Sequence, residues 1–201
     1  MSLAAAKARA RREAEARRAE AHAAGPGEAS AHLLDALAAF RGRAVAGYWP
    51  MRTEIDPRSA LAALAAQGPV ALPVVVGKGR PLVFRRWTPG ARLVTGVFGT
   101  RVPEEDAEAI RPEALVVPLL AFTDRGERLG YGGGFYDRTL AALRAEGGAF
   151  AVGFAFAAQR VEALPLEPTD ATLDLVATEA GIVAPRRSDL PADAPSPKGG
   201  A

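Results

Sequence analysis

The sequence predicts an α/β fold in a single domain, with a mainly parallel sheet, helices on both faces and three layers in all. Three observations carry that expectation. Continuous apolar runs at 70–76, 114–122 and 150–156 read as strands buried on both faces. They alternate with amphipathic stretches, the strand-helix-strand order of parallel sheets. Finally, the 114–122 run leads into a glycine-dense stretch, residues 128–138 (RLGYGGGFYDR), and then into another helix. A strand, loop and helix in that order present backbone N–H groups at a helix N-terminus, where an anion is favoured.

Taken in order, residues 3–23 are, but for Leu3 and His22, Ala, Arg, Glu and Lys, strong helix formers, with Ser2 as N-cap and Gly25-Pro26-Gly27 as the stop. Few large apolar residues occur there, so composition alone favours a solvated charged helix. Leu33, Leu34, Leu37 and Phe40 share one face of a second helix expected over 30–41. Residues 44–49 read as a short strand, and Asp56-Pro57 as the cap and first position of a helix ending at Gly68. The loop between them carries Trp49 and Glu54 at a strand's carboxyl end, where open α/β sheets bind ligands. Locally, Trp49 reads equally well as core, Glu54 as a helix-start neighbour and Asp56 as a cap.

A strand over 70–76, a turn at 77–81 and a strand over 82–87 suggest a hairpin at one sheet edge, followed by an irregular connection over 88–113. Residues 114–122 form the clearest central strand, with Pro118 marking a bulge or edge position. A helix over 136–146, strands over 150–156 and 175–178 and a loop through Asp170 complete the expected domain, residues 1–184. The remainder, 185–201, has the composition of a disordered tail.

Composition narrows the chemistry. The 201 residues contain no cysteine and only two histidines, His22 and His32, both in helical segments away from the glycine loop. Thiolate chemistry is excluded, and a histidine base is not expected. Residues 1–24 hold six basic and three acidic side chains, or +3, which leaves −1 for the rest of a chain of net charge +2. That balance argues against an RNA-binding module using the basic arm. No apolar stretch approaches the ~20 residues of a membrane span, and no signal-peptide core is present, so a cytoplasmic protein is expected.

The glycine loop matches neither G-x-G-x-x-G nor a Walker loop ending in G-K-[ST]. Its frame is more telling. Arg128, Asp137 and Arg138 place cations and a carboxylate beside it, an inventory suited to phosphoryl transfer, which needs positioning and charge neutralisation but neither Cys nor His. Asp170 follows the next strand and could reach the same sheet end as Asp137; local pattern alone favours Thr169 or Asp170 as a turn cap.

On these residues, with Leu119-Leu120-Ala121-Phe122 and Gly126 before them, the chain resembles the 5-formyltetrahydrofolate cyclo-ligase family over most of its length. Lys7 and Arg11 resemble its N-terminal K-x-x-x-R, Glu54 its acidic folate position, and Phe156 to Gln159, Leu164-Pro165 and Asp170 its closing segments. The chain departs at Gly133, where some members carry Lys, at Phe135, often Tyr, and at Val102, often Glu.

The resemblance implies cyclisation of 5-formyltetrahydrofolate to 5,10-methenyltetrahydrofolate with ATP as co-substrate and Mg2+ as cofactor, in a monomer without nucleic-acid or membrane partners. It further implies an ATP site of Lys7, Arg11, Arg128, Leu129, Gly130, Tyr131, Gly132, Gly133, Gly134, Phe135 and Tyr136, with Arg128 and Tyr136 catalytic. Trp49, Glu54 and Tyr131 would face the folate, and Asp137 and Asp170 the metal. The alternative is another nucleotide- or sugar-phosphate-binding enzyme on a similar scaffold.

Overall fold

The structure, a computed structural model, describes residues 2–185. The tail expected from residue 185 falls, past Pro185, outside the described residues. The chain runs α1 (Leu3–Ala24), α2 (Ala29–Ala36), β1 (Val45–Ala46), α3 (Arg58–Ala65), β2 (Val70–Val74), β3 (Val83–Trp87), β4 (Leu93–Thr95), β5 (Arg101–Pro103), β6 (Ala114–Pro118), β7 (Ala121–Phe122), β8 (Arg128–Leu129), α4 (Phe135–Ala145), β9 (Phe150–Phe154), β10 (Leu175–Thr178) and β11 (Gly181–Val183).

The main sheet has seven strands in the order β11-β10-β9-β6-β1-β2-β3. Its five inner strands are parallel, and the outer β3 and β11 pair antiparallel. Since successive strand residues point to opposite faces, each strand feeds two cores. Val45, Val116 and Val152 pack with Leu33, Leu37 and Leu61 of α2 and its continuation and α3, whereas Ala46, Leu115 and Val117 pack with Leu140 and Leu143 of α4. This is the expected three-layer α/β fold. Each such Leu or Val contributes roughly 1.5–3 kcal/mol by burial.

Several elements differ from the sequence expectation. The second helix stops at Ala36 and tightens to a 3-10 turn at Ala38–Phe40, which lets the Phe40 ring stack on Phe150 with centroids 5.2 Å apart. The strand expected over 44–49 shrinks to Val45–Ala46, because the chain turns away early; the Tyr48 hydroxyl closes the resulting loop by donating to Ile55 O at 2.6 Å. Asp56 is not the N-cap of α3, which is Pro57; one residue before it, Asp56 accepts from Arg58 N at 2.9 Å, so the helix starts a residue later than expected.

The stretch 88–113 contains the β4–β5 hairpin, with Phe98 at its tip in a left-handed conformation (φ 61°). Residues 114–122 do not form one strand. Pro118 is the last paired residue of β6, opposite Phe154, after which Leu120 N bonds to Leu129 O at 2.7 Å and the chain joins the small β7–β8 ribbon. Pro118 therefore ends a central strand, where its missing N–H costs least. The strand expected to reach 156 stops at Phe154, and β11 had no sequence signal, being three residues long.

Helix α1 crosses the carboxyl ends of the inner strands. Ala14 is fully buried against Leu120, Ala121 and Leu129. Its outer face is solvated, as composition suggested, with an exposed Arg9–Glu13 pair. Its inner face is not: Lys7, Ala14 and Arg18 are buried.

Candidate active site

Lys7, Arg11, Ala14 and Arg18 fall at i, i+4, i+7 and i+11, a single helical stripe on which cations stand where a core helix would carry apolar residues. Lys7 Nζ reaches Asp170 Oδ2 at 2.7 Å and Glu167 Oε2 at 2.9 Å. Burial works against the Lys7 charge, but these two hydrogen bonds outweigh it and raise the ammonium pKa. For Asp170, burial is likewise outweighed, by Lys7 and by the Glu167 N–H that donates to it at 2.8 Å, so its pKa falls. Asp170 thus caps a turn while it pairs with Lys7. Arg11 Nε donates to Gly130 O at 2.9 Å.

The glycine loop needs its glycines for two separate reasons. Gly132 (φ 92°) and Gly134 (φ 63°) occupy the left-handed region, and a Cβ on Gly132 would stand 3.0 Å from the Arg11 guanidinium. Gly134 offers no side-chain cap to α4, so the first-turn N–H groups face outward, a ready anion site. Arg128 lies beneath, 6% exposed. Its Nη2 donates to Asp137 Oδ1 at 2.6 Å, while the buried Nη1 has no hydrogen-bond partner among the described residues. Burial lowers its pKa and Asp137 opposes the drop; a guanidinium so placed stays charged and keeps a donor open.

Tyr136 follows Gly134 by two residues; burial, then Glu54, pushes its phenol well up, so it remains a neutral donor. Leu129 is buried packing, and Phe135 meets Phe98 at 6.2 Å and the Arg138 guanidinium at 5.3 Å. Arg138 turns back onto Gly133 O at 2.7 Å.

Glu54 is 4% exposed. Its Oε2 accepts from Met51 N at 2.8 Å and its Oε1 from the Tyr131 hydroxyl at 2.9 Å. Burial raises the Glu54 pKa, and these donors together with Arg18 and Arg52 oppose the rise. The Tyr131 phenol is pushed up to about 12, by burial first and Glu54 second. Trp49 turns toward the α3 side, its ring 6.4 Å from Trp87 and 4.9 Å from the Arg58 guanidinium.

Asp137 and Asp170 converge, because Ala171 N donates to Asp137 Oδ1 at 3.1 Å. No cluster of three or more acidic or histidine side chains among the described residues forms a metal site by itself. Two hard carboxylates suit Mg2+, which is commonly held by one or two protein carboxylates plus substrate phosphates and water. Arg18, Glu167 and Thr53 belong to this constellation, and sequence reasoning missed them. Arg18 was detectable, eleven residues after Lys7 on the same stripe.

An open helix N-terminus, a buried guanidinium with a spare donor and a buried carboxylate beside them suit an α/β enzyme that acts on a phosphate-bearing ligand. Residues 3–179 match the model of the 5-formyltetrahydrofolate cyclo-ligase family, and the chain belongs to that family. It is 33% identical to the 5-formyltetrahydrofolate cyclo-ligase of Haemophilus influenzae over 71% of this chain and 79% of that one. To the enzyme of the same name from Mycolicibacterium smegmatis it is 36% identical, over 72% and 78%. The 5,10-methenyltetrahydrofolate synthetase of Aquifex aeolicus superposes with a TM-score of 0.73 at 26% identity, covering 93% of this chain and 97% of that one. A Mycoplasma pneumoniae 5,10-methenyltetrahydrofolate synthetase shares the fold, with a TM-score of 0.61 at 19% identity, covering 89% of this chain and 99% of that one. The reaction of the family is the ATP-dependent cyclisation of 5-formyltetrahydrofolate.

Proposed function

We propose that this chain converts 5-formyltetrahydrofolate and ATP to 5,10-methenyltetrahydrofolate, ADP and phosphate, with the nucleotide phosphates on the glycine loop and the pterin against Glu54. One observation carries this arrangement. Tyr131 reaches Glu54 at 2.9 Å while its neighbour Gly130 is held by Arg11 at 2.9 Å, so anion cradle and acidic acceptor form one continuous wall.

In the reaction the formyl oxygen attacks the γ-phosphorus and the bond to ADP breaks. N10 then attacks the activated carbon, phosphate departs with that oxygen, and N10 loses its proton. Arg128 Nη1, Arg11, Lys7 and the first-turn amides of α4 neutralise the charge on the transferring group. Tyr136, held protonated, donates a hydrogen bond, and ionised Glu54 accepts from pterin N–H groups. Trp49, packed on the α3 side, would act on the pterin only by supporting the Glu54 loop from behind. Asp137 and Asp170 would hold Mg2+, which would supply further positive charge to the phosphates. The expected setting is a cytoplasmic monomer.

Purified protein with 5-formyltetrahydrofolate, ATP and Mg2+ should form methenyltetrahydrofolate, followed by its absorbance. Absence of product with folded protein would overturn the assignment.

A further inference from the structure

Arg18 is 2% exposed and makes no ion pair among the described residues, an unusual state for a buried cation. Instead its Nε donates to Thr53 Oγ1 at 3.1 Å, its Nη1 to the Tyr131 hydroxyl at 2.6 Å, and its guanidinium carbon lies 5.5 Å from the Tyr131 ring centroid. A guanidinium can only donate. The Tyr131 oxygen must therefore accept from Arg18, which directs its own proton to Glu54 Oε1.

We propose that Arg18 is a positioning residue for folate binding: through Tyr131 it fixes the orientation of Glu54, and it ties that carboxylate to the helix that carries Lys7 and Arg11. The inference rests on the cyclo-ligase reading. Thr53 and Glu54 share one loop, so Arg18 holds that loop on one side and the glycine loop on the other. The charged and titratable groups that bear on Glu54 are Arg18, Arg52 and Tyr131, with Tyr48 and Tyr136 interacting more distantly. Arg18 is the buried cation among them, and its removal leaves the Glu54 carboxylate harder to ionise.

The test compares wild type, Arg18→Met, Arg18→Lys, Tyr131→Phe and the Arg18→Met/Tyr131→Phe double variant in steady-state kinetics across pH. A wild type without activity overturns the cyclo-ligase reading, whereas an active wild type makes the variants informative about Arg18 alone. Arg18→Met should raise the 5-formyltetrahydrofolate KM about tenfold or more while the ATP KM changes less than about threefold. The acidic limb of kcat/KM for folate should move to higher pH in Arg18→Met and stay in place in Arg18→Lys, which keeps the charge. Because one of Arg18's routes to Glu54 runs through Tyr131, the double variant should lose less than the sum of the two single variants. Tyr131 is partly exposed, so its variant tests the link even if Arg18→Met folds poorly. Additive losses, or an acidic limb unmoved in Arg18→Met, would overturn the proposal; so would an Arg18→Lys variant that folds but matches Arg18→Met in both KM and limb.

Discussion

Lys7 Nζ lies 2.7 Å from Asp170 Oδ2 across 163 positions of sequence, and this contact pins the start of α1 to the loop beyond β9. Lys7→Met should destabilise the protein by about 1–3 kcal/mol in urea unfolding, below the cost of breaking a fully buried pair because Glu167 is half-exposed. The raised Lys7 pKa contributes stability that is full below 10.5 and lost as pH rises through the folded value. The lowered Asp170 pKa contributes stability that is full above 3.8 and lost as pH falls through its folded value. The stability difference between wild type and Lys7→Met should thus be flat at intermediate pH and narrow toward both extremes.

Glu54 should behave in the opposite sense. Its raised pKa means that the folded state holds the proton more tightly than the unfolded chain, a stabilisation present below pH 4.5 and lost as pH rises through the folded value. Near neutrality Glu54→Gln should therefore be at least as stable as wild type in thermal unfolding. Its kcat/KM for 5-formyltetrahydrofolate should fall about 10- to 100-fold, since an amide replaces the carboxylate proposed to accept from the pterin.

Asp137→Asn preserves the shape beneath Arg128 and removes the carboxylate charge. The Mg2+ concentration giving half-maximal rate should rise at least about tenfold. Circular dichroism should remain that of wild type, and a Mg2+ response unchanged from wild type would remove Asp137 from the metal site.

Gly132→Ala combines a left-handed residue with a Cβ 3.0 Å from the Arg11 guanidinium. About 1–2 kcal/mol of backbone strain is expected, and Arg11 must shift. The ATP KM should rise more than the folate KM, measured by varying each substrate at saturating levels of the other.

Legibility differed element by element. Ser2, which caps α1 by accepting from Ala5 N at 3.3 Å, and the strand Leu175–Thr178 could be read because their signals are local. The β4–β5 hairpin and β11 could not, since strands of three residues are too short to show a period and exist through their partners. Helix α1 is the instructive case. Its composition suggested a solvated helix because Lys, Arg and Ala carry no apolar stripe, yet its inner face is buried against the site.

By itself the sequence determined the α/β class and placed a glycine-dense loop, framed by Arg128 and Asp137, at the start of a helix, because each follows from short-range pattern, helix-start chemistry and glycine's freedom near positive φ. Only the tertiary structure decided that Arg18, Tyr131 and Glu54 form one hydrogen-bonded line and that Lys7 meets Asp170. These partners come from separate segments that the parallel sheet order and the path of α1 bring to one edge, and no local propensity encodes which loops will share that edge.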